Sequence, residues 1–373
     1  MSEHDEAYMR AAFALARRTL GRTSPNPAVG ALVVRSDGIG DEVVGCGWTM
    51  RGGRPHAERV ALERAGEAAR GATIYVTLEP CAHYGKTPPC VDAIIDARLS
   101  RVVVSAHDPD TRVAGQGIIM LREAGIEVEE GCLKEEGADL ARGHILRVSA
   151  NRPLVQLKLA VGSDGLIPQG KDGAPVWATG EDARAHGHLL RARADAILVG
   201  HGTINADNPS LTCRLPGMEE DSPIRIVLCS ALDMPTTAKI LAERDTAPVW
   251  VIGSLEAASG AEKALTAAGA DVLRVGTDEA NRLDTRDILS ALAERGITRL
   301  LIEGGPHVAS SFWAAGLVDE IYIYKGPEPA GANGMPALAN AEIAVIETSD
   351  AFVKEEARQL GRDTLDIYRR KDR

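Results

Sequence analysis

Apolar side chains recur at helical spacing over residues 5–20, and two strand-like runs follow at 28–34 and 43–48. The turn-forming segment Ser36-Asp37-Gly38-Ile39-Gly40 joins those runs as a hairpin would. The pattern next predicts a helix over about 57–69, a strand at 73–78, a helix over about 91–97 and a strand at 101–105. Another helix and a short strand fit within 115–131, and one helical stretch covers about 134–149. Such alternation folds as a sheet with helices on its faces. At Asn151-Arg152-Pro153 the proline ends the helix and favours an extended exit. The predicted domains are therefore 1–150 and 151–373. The second opens on a strand at 154–161 and continues with runs at 196–200, 224–229, 249–252, 271–275, 299–302 and 320–324, with helical patterns between several of them. The Pro/Gly-rich stretch 326–336 reads as a loop. No internal repeat or low-complexity tract interrupts the pattern.

A length of 373 residues supports the two-domain division. With 45% hydrophobic and 25% charged residues the chain has the balance of a globular protein. Aromatic residues are only 3%, so Val, Ile, Leu and Ala must build the cores. The formal net charge of −11 argues against nonspecific nucleic-acid binding, which needs basic surfaces, though one basic pocket for a single phosphate remains compatible with it. No apolar run approaches the roughly 20 residues needed to span a bilayer. The opening Met-Ser-Glu-His-Asp-Glu is acidic where a secretory signal is basic. The expected compartment is the cytoplasm. There the six cysteines serve as ligands or buried small hydrophobes rather than disulfides.

Only Cys81 and Cys90 stand in a chemical context. His56-Ala57-Glu58 precedes Glu79-Pro80-Cys81 and then Cys90. One imidazole and two thiolates supply three ligands to a tetrahedral ion and leave a fourth position for water, as in catalytic zinc sites. Zinc lowers the pKa of such a water to about 7. Glu58 is not needed as a ligand and is placed to carry the proton to a ring nitrogen and then to departing ammonia. An isolated His-Ala-Glu is usually a helix start. Joined to two cysteines of one loop, it has the pattern of zinc deaminases acting on nucleobases. The cysteines are nine positions apart instead of three, and the intervening polar, basic loop can hold a phosphorylated substituent.

The sequence closely resembles the bifunctional deaminase-reductase family of riboflavin biosynthesis, over about residues 8–370. The matching pieces are Pro25-Asn26-Pro27-Ala28-Val29-Gly30, Pro55-His56-Ala57-Glu58, the run from Val76 through His83, Gly85-Lys86-Thr87-Pro88-Pro89-Cys90, and Asp108-Pro109 through Val113-Ala114-Gly115. The resemblance implies a cytidine-deaminase-like three-layer α/β/α first domain that deaminates diaminohydroxyphosphoribosylaminopyrimidine. His56, Cys81 and Cys90 would bind Zn2+, Glu58 would shuttle the proton, and Asn26, His83, Lys86 and Thr87 would contact substrate. Thr49 stands where the family usually has a histidine.

On its own residues the second half shows no G-x-G-x-x-G; Gly200-His201-Gly202-Thr203 comes nearest and is a weak signal. The family's reductase motifs fall on Lys158, Gly162-Ser163-Asp164-Gly165, Trp177-Ala178-Thr179, Leu190-Arg191-Ala192, Asp207-Asn208-Pro209, Leu211-Thr212-Cys213-Arg214 and Glu303-Gly304-Gly305-Pro306. Ser163 and Asn208 depart from its usual residues. The resemblance implies a dihydrofolate-reductase-like α/β domain that uses NADPH to turn the ribosyl group into a ribityl chain. In it Lys158 and Asp207 would hold and polarise the sugar, and Arg191, Leu211, Arg214 and Glu303 would bind substrate, the arginines at its phosphate. Lys158, Trp177, Thr179, Gly200, Thr203, Asp207, Gly304 and Gly305 would line the cofactor. The expected partners are a small phosphoribosyl-pyrimidine and further copies of this chain, with no nucleic acid and no membrane. Two other readings compete. One is a deaminase of RNA or free nucleosides with an unrelated second domain; the other is a non-catalytic protein with structural zinc. The acidic charge and the long loop oppose the first, and the open fourth ligand position opposes the second.

Overall fold

The computed structural model describes residues 2–85, 87–110, 113–169, 176–339 and 341–371. The chain divides into two compact units, Met1–Pro153 with Arg295–Thr298, and Leu154–Glu294 with Arg299–Arg373.

The first unit runs α1 (Glu3–Arg17), β1 (Gly30–Ser36), β2 (Asp41–Trp48), α2 (Ala57–Ala65), β3 (Thr73–Leu78), α3 (Cys90–Asp96), β4 (Arg101–Ala106), α4 (Gln116–Glu123), β5 (Glu127–Glu130), α5 (Lys134–Leu140) and α6 (Arg142–Ala150). Its sheet has the order β2-β1-β3-β4-β5; β1 is antiparallel to both neighbours, and β3, β4 and β5 are parallel. Alternate residues of β1 serve opposite faces, as strand geometry requires. Ala31 and Val33 join Ala57, Ala61, Val91 and Ile118 in one core. Leu32 and Val34 join Met9, Phe13 and Leu140 in the other. The result is the expected three-layer α/β/α arrangement. A capping box starts α1, with Asp5 N donating to Ser2 Oγ at 3.2 Å and Ser2 N donating to Asp5 Oδ2 at 2.8 Å.

Helix α2 lies unusually close to β2. A Cβ at Gly45 would stand 2.3 Å from the Ala61 carbonyl oxygen, and one at Gly47 would stand 2.2 Å from that of Ala57. Only glycine permits this approach, and it sets where the first turn of α2 can sit.

The second unit runs β6 (Leu154–Val161), β7 (Leu166–Ile167), α7 (Glu181–Ala192), β8 (Ala196–Gly200), α8 (His201–Asp207), β9 (Ile224–Leu228), α9 (Lys239–Ala242), β10 (Val249–Ser254), α10 (Ser259–Ala267), β11 (Asp271–Val275), α11 (Thr285–Glu294), β12 (Arg299–Ile302), α12 (Pro306–Ala314), β13 (Glu320–Lys325), β14 (Met335–Pro336), α13 (Ala344–Glu347), β15 (Phe352–Leu360) and β16 (Asp363–Arg370). Nine strands form one sheet in the order β11-β10-β9-β8-β12-β6-β13-β16-β15. It is parallel from β11 through β13, and β16 and β15 close it as an antiparallel hairpin. β7 and β14 pair separately. Central strands such as β8 are buried along their length, as parallel strands covered by helices are.

Three details differ from the sequence reading. The helical stretch 134–149 is two helices, divided where Ala141 turns to ψ 0°. Residues 352–370 form a hairpin that the pattern does not announce, and the 326–336 loop contains β14. Among the described residues no helix is long and apolar enough to cross a membrane.

Candidate functional site

In the first unit the strand ends and helix starts deliver the chemistry. His56 is the residue immediately before α2, Glu58 lies in that helix's first turn, Cys81 follows β3, and Cys90 opens α3. His56 Nδ1 is 3.6 Å from Cys81 Sγ and 3.4 Å from Cys90 Sγ, and the three donor atoms lie within 4.8 Å of one another. Zinc bonds of about 2.3 Å to sulfur and 2.0 Å to nitrogen, at a tetrahedral angle, put S and N about 3.5 Å apart. The donor set and its spacing therefore fit zinc. Asn26 Nδ2 lies 3.3 Å from His56 Nε2 and donates to the Gly53 carbonyl at 2.7 Å, which fixes the imidazole with Nδ1 toward the sulfurs.

The electrostatics match a ligand cluster. A hydrogen bond from Cys90 brings the Cys81 thiol down to about 4 against the opposing effect of burial, with His56 assisting. Cys90 itself is held well above the ordinary thiol range by that same bond and by burial. The Cys90 backbone N–H also donates to Cys81 Sγ at 3.3 Å. Glu58 is 4% exposed, and burial pushes its carboxyl up despite the nearby His56.

The remaining expected contacts of this unit are distributed around the cluster. His83 Nδ1 is buried without a hydrogen-bond partner. Thr87 accepts a 2.6 Å bond from Arg54 Nη1, a contact nothing in the sequence pattern signals. Lys86 lies outside the described residues. Thr49, which stands where the family usually has a histidine, is buried; its Oγ1 accepts from Val29 N at 3.1 Å and its N–H donates to the Val29 carbonyl at 2.9 Å. It works as a stitch between strand ends.

In the second unit Lys158 on β6 is brought to Glu303, just after β12, at 3.6 Å. Arg191, near the end of α7, grips the same carboxylate with Nε at 2.8 Å and Nη2 at 3.0 Å, and its Nη1 donates to the Thr212 carbonyl at 3.0 Å. Burial pushes Glu303 up, but the charges of Arg191 and Lys158 outweigh it and bring the carboxyl down to about 2. The Lys158 ammonium also faces the Tyr324 ring, 5.7 Å from its centroid, and Tyr324 Oη is 2.6 Å from His186 Nδ1. Asp207, expected with Lys158 to hold the sugar, closes α8 as an exposed residue. Among the described residues Lys158 pairs instead with Glu303. Arg214 is exposed, and its N–H donates to His188 Nδ1 at 3.3 Å. Leu211 is buried with a φ of 57°.

The expected cofactor residues fall in two groups. Gly200, Thr203, Gly304 and Gly305 meet where β8 and β12, neighbours in the sheet, give way to α8 and α12. A Cβ at Gly304 would stand 2.8 Å from Val308 Cβ, one at Gly200 would stand 3.0 Å from Val308 Cγ2, and one at Gly305 would stand 3.9 Å from Thr203 Oγ1. Trp177 and Thr179 sit elsewhere, ahead of α7. Trp177 is 61% exposed with Arg184 over its ring, and Arg184 Nη1 donates to the Thr179 carbonyl at 2.7 Å.

Comparison with known proteins accounts for both halves. The profile of the RibD C-terminal domain matches residues 153–362, and that of the cytidine and deoxycytidylate deaminase zinc-binding region matches residues 2–106. The chain is 41% identical to the riboflavin biosynthesis protein RibD of Bacillus amyloliquefaciens, covering 91% of this chain and 88% of the relative. It is 39% identical to that of Aquifex aeolicus over 99% of each. Among solved structures, Acinetobacter baumannii RibD superposes with a TM-score of 0.86 at 35% identity, over 99% of each chain. A diaminohydroxyphosphoribosylaminopyrimidine deaminase/5-amino-6-(5-phosphoribosylamino)uracil reductase from Thermotoga maritima gives 0.82 at 34%, over 98% of this chain and 99% of that one. With the ligand triad of the first unit and both profiles in place, the chain belongs to the RibD family of riboflavin biosynthesis, bifunctional enzymes that join a zinc-dependent deaminase to an NADPH-dependent reductase.

Proposed function

We propose that residues 1–150 hydrolyse an exocyclic amino group of diaminohydroxyphosphoribosylaminopyrimidine and that residues 151–373 reduce the deaminated product's ribosyl group to ribityl. The convergence of His56 Nδ1, Cys81 Sγ and Cys90 Sγ beside a buried Glu58 carries this reading. Held by those three donors, zinc supplies a Lewis acid that makes hydroxide available at neutral pH. Glu58 does the proton work. Its carboxylate takes a proton, gives it to the pyrimidine ring nitrogen, and returns one to the leaving amine. Burial raises its proton affinity and so suits it to hold that proton between transfers. Asn26, whose Nδ2 is held by the Gly53 carbonyl, offers its Oδ1 to the base edge, while His83, Lys86 and Thr87 meet the ribosyl phosphate arm.

In the second unit NADPH supplies the hydride, with Gly200, Thr203, Gly304 and Gly305 forming the close-approach wall and Trp177 and Thr179 a further contact. Lys158, steered by Glu303, donates from Nζ to the sugar, with Asp207 as its second polar contact. Arg214 and Arg191 meet the phosphate, and Leu211 and Glu303 complete the substrate side. Because Arg191 also grips Glu303 in two places, we assign it the further task of orienting that carboxylate. We place the reactions in the cytoplasm, with no nucleic-acid partner; the net charge of −11 supports the latter.

The test supplies purified protein with the diaminopyrimidine ribotide and NADPH and follows ammonia release and NADPH absorbance together. Both signals should appear, ammonia first, and a chelator should abolish both. NADPH loss that persists in the chelated enzyme without added deaminated product would contradict the assignment.

A further inference from the structure

Arg54 stands two positions before His56, in the turn leading into α2. Its backbone is fixed from both sides: the Gly53 carbonyl accepts from Asn26 Nδ2 at 2.7 Å, and the Pro55 carbonyl accepts from Met50 N at 3.0 Å. The half-buried side chain crosses to the loop between the two cysteines. There Nη1 donates to Thr87 Oγ1 at 2.6 Å, and Nη2 lies against Gly85, 3.5 Å from where a Cβ would stand. Among the described residues no carboxylate pairs with Arg54. A guanidinium has five N–H donors, so the Thr87 hydroxyl satisfies one and leaves the charge unbalanced.

A half-buried cation without an acidic partner, anchored by its own backbone and bridged to a hydroxyl, is suited to an anion with several oxygens. A planar fork meets phosphate oxygens two at a time. We propose that Arg54 is a specificity-determining residue of the deaminase site: together with Thr87 it receives the substrate's ribosyl phosphate and sets the preference for a ribotide over the corresponding nucleoside. This rests on reading the first unit as a deaminase of a phosphoribosyl-pyrimidine.

The experiment compares the zinc-loaded full-length wild type with Arg54→Gln and Arg54→Lys. Ammonia release is measured from the ribotide and from its dephosphorylated nucleoside. For the ribotide, kcat/KM should fall by roughly 10- to 100-fold in R54Q, mainly through KM, as expected for losing one charge-assisted contact. Turnover of the nucleoside should barely change, and R54K should recover part of the loss because it keeps the charge without the fork. Binding of ribose 5-phosphate, followed as competitive inhibition of ammonia release so that it reports the deaminase site alone, should weaken in R54Q while zinc content stays at the wild-type level. Equal loss on both substrates, or unchanged ribose 5-phosphate binding, overturns the role of Arg54. A wild type that processes nucleoside as readily as ribotide is a separate result: it removes the phosphoribosyl reading itself, and the proposal with it.

Discussion

Replacing Arg191 with Met takes away the guanidinium that holds Glu303 at 2.8 and 3.0 Å and leaves the carboxylate with Lys158 at 3.6 Å. Glu303 is deeply buried, with a side chain only 10% exposed, so little solvent screens the pair. The carboxyl is brought from its ordinary 4.5 to about 2 even though burial works against ionisation. At about 1.4 kcal/mol per decade this difference corresponds to roughly 3 kcal/mol of native-state stabilisation at neutral pH. That figure nets burial against Arg191, Lys158 and His188 together; removing one partner of a buried ion pair costs about 3–5 kcal/mol in general. The sign with pH follows from the depressed pKa. The contribution is complete above the ordinary carboxyl value of 4.5 and is lost as pH falls toward about 2. Urea unfolding of the second unit, read by tryptophan fluorescence and circular dichroism, should show R191M weakened by about 3 kcal/mol at neutral pH. That gap should narrow as the solution is acidified through this window. Adding Glu303→Gln to R191M should recover part of the loss, because the buried carboxylate charge is then gone, while Lys158, the more exposed partner, loses its ion pair. An R191M protein that unfolds with the wild type at every pH would refute the reasoning.

Three further outcomes follow from the same geometry. Glu58→Gln should keep zinc, measured by elemental analysis, while ammonia release falls by about 100-fold or more; NADPH oxidation with supplied deaminated product should persist. Lys158→Ala should do the reverse, sparing ammonia release and abolishing NADPH oxidation; loss of ammonia release instead would show the activities wrongly divided between the halves. Gly47→Ala places a methyl 2.2 Å from the Ala57 carbonyl oxygen and must displace the start of α2. Zinc affinity should drop in a competition titration with a chromogenic chelator, and wild-type affinity would show that the close approach does not position His56.

How much could be read in advance depended on how local the signal was. The strands at 73–78, 154–161, 196–200, 271–275 and 299–302 coincide with β3, β6, β8, β11 and β12 because each is a short, β-branched or aliphatic run bounded by turn residues. The β15–β16 hairpin carries no clear strand signal in the sequence because it edges the sheet. β15 reads Phe-Val-Lys-Glu-Glu-Ala-Arg-Gln-Leu and is mostly exposed, so charge hides the period-two pattern, as protected edge strands require. The helix over 134–149 divides at Ala141, a residue with no breaker signature. At the first site His56, Glu58, Cys81 and Cys90 were legible because their spacings belong to local motifs. In the second unit Glu303 joins Arg191 across 112 positions, and no spacing rule relates them. The Tyr324–His186 contact and the reach of Arg54 to Thr87 were invisible for the same reason: tertiary folding alone brings them together.

X-ray absorption at the zinc edge of the purified, metal-loaded chain tests the central claim most directly. The account predicts one zinc per chain with two sulfurs at about 2.3 Å and two lighter donors at about 2.0 Å, one of them exchangeable. It also predicts that Cys81→Ser and Cys90→Ser each remove one sulfur from that shell. A shell of four protein donors with no exchangeable position, or a sulfur count unmoved by either substitution, would contradict it.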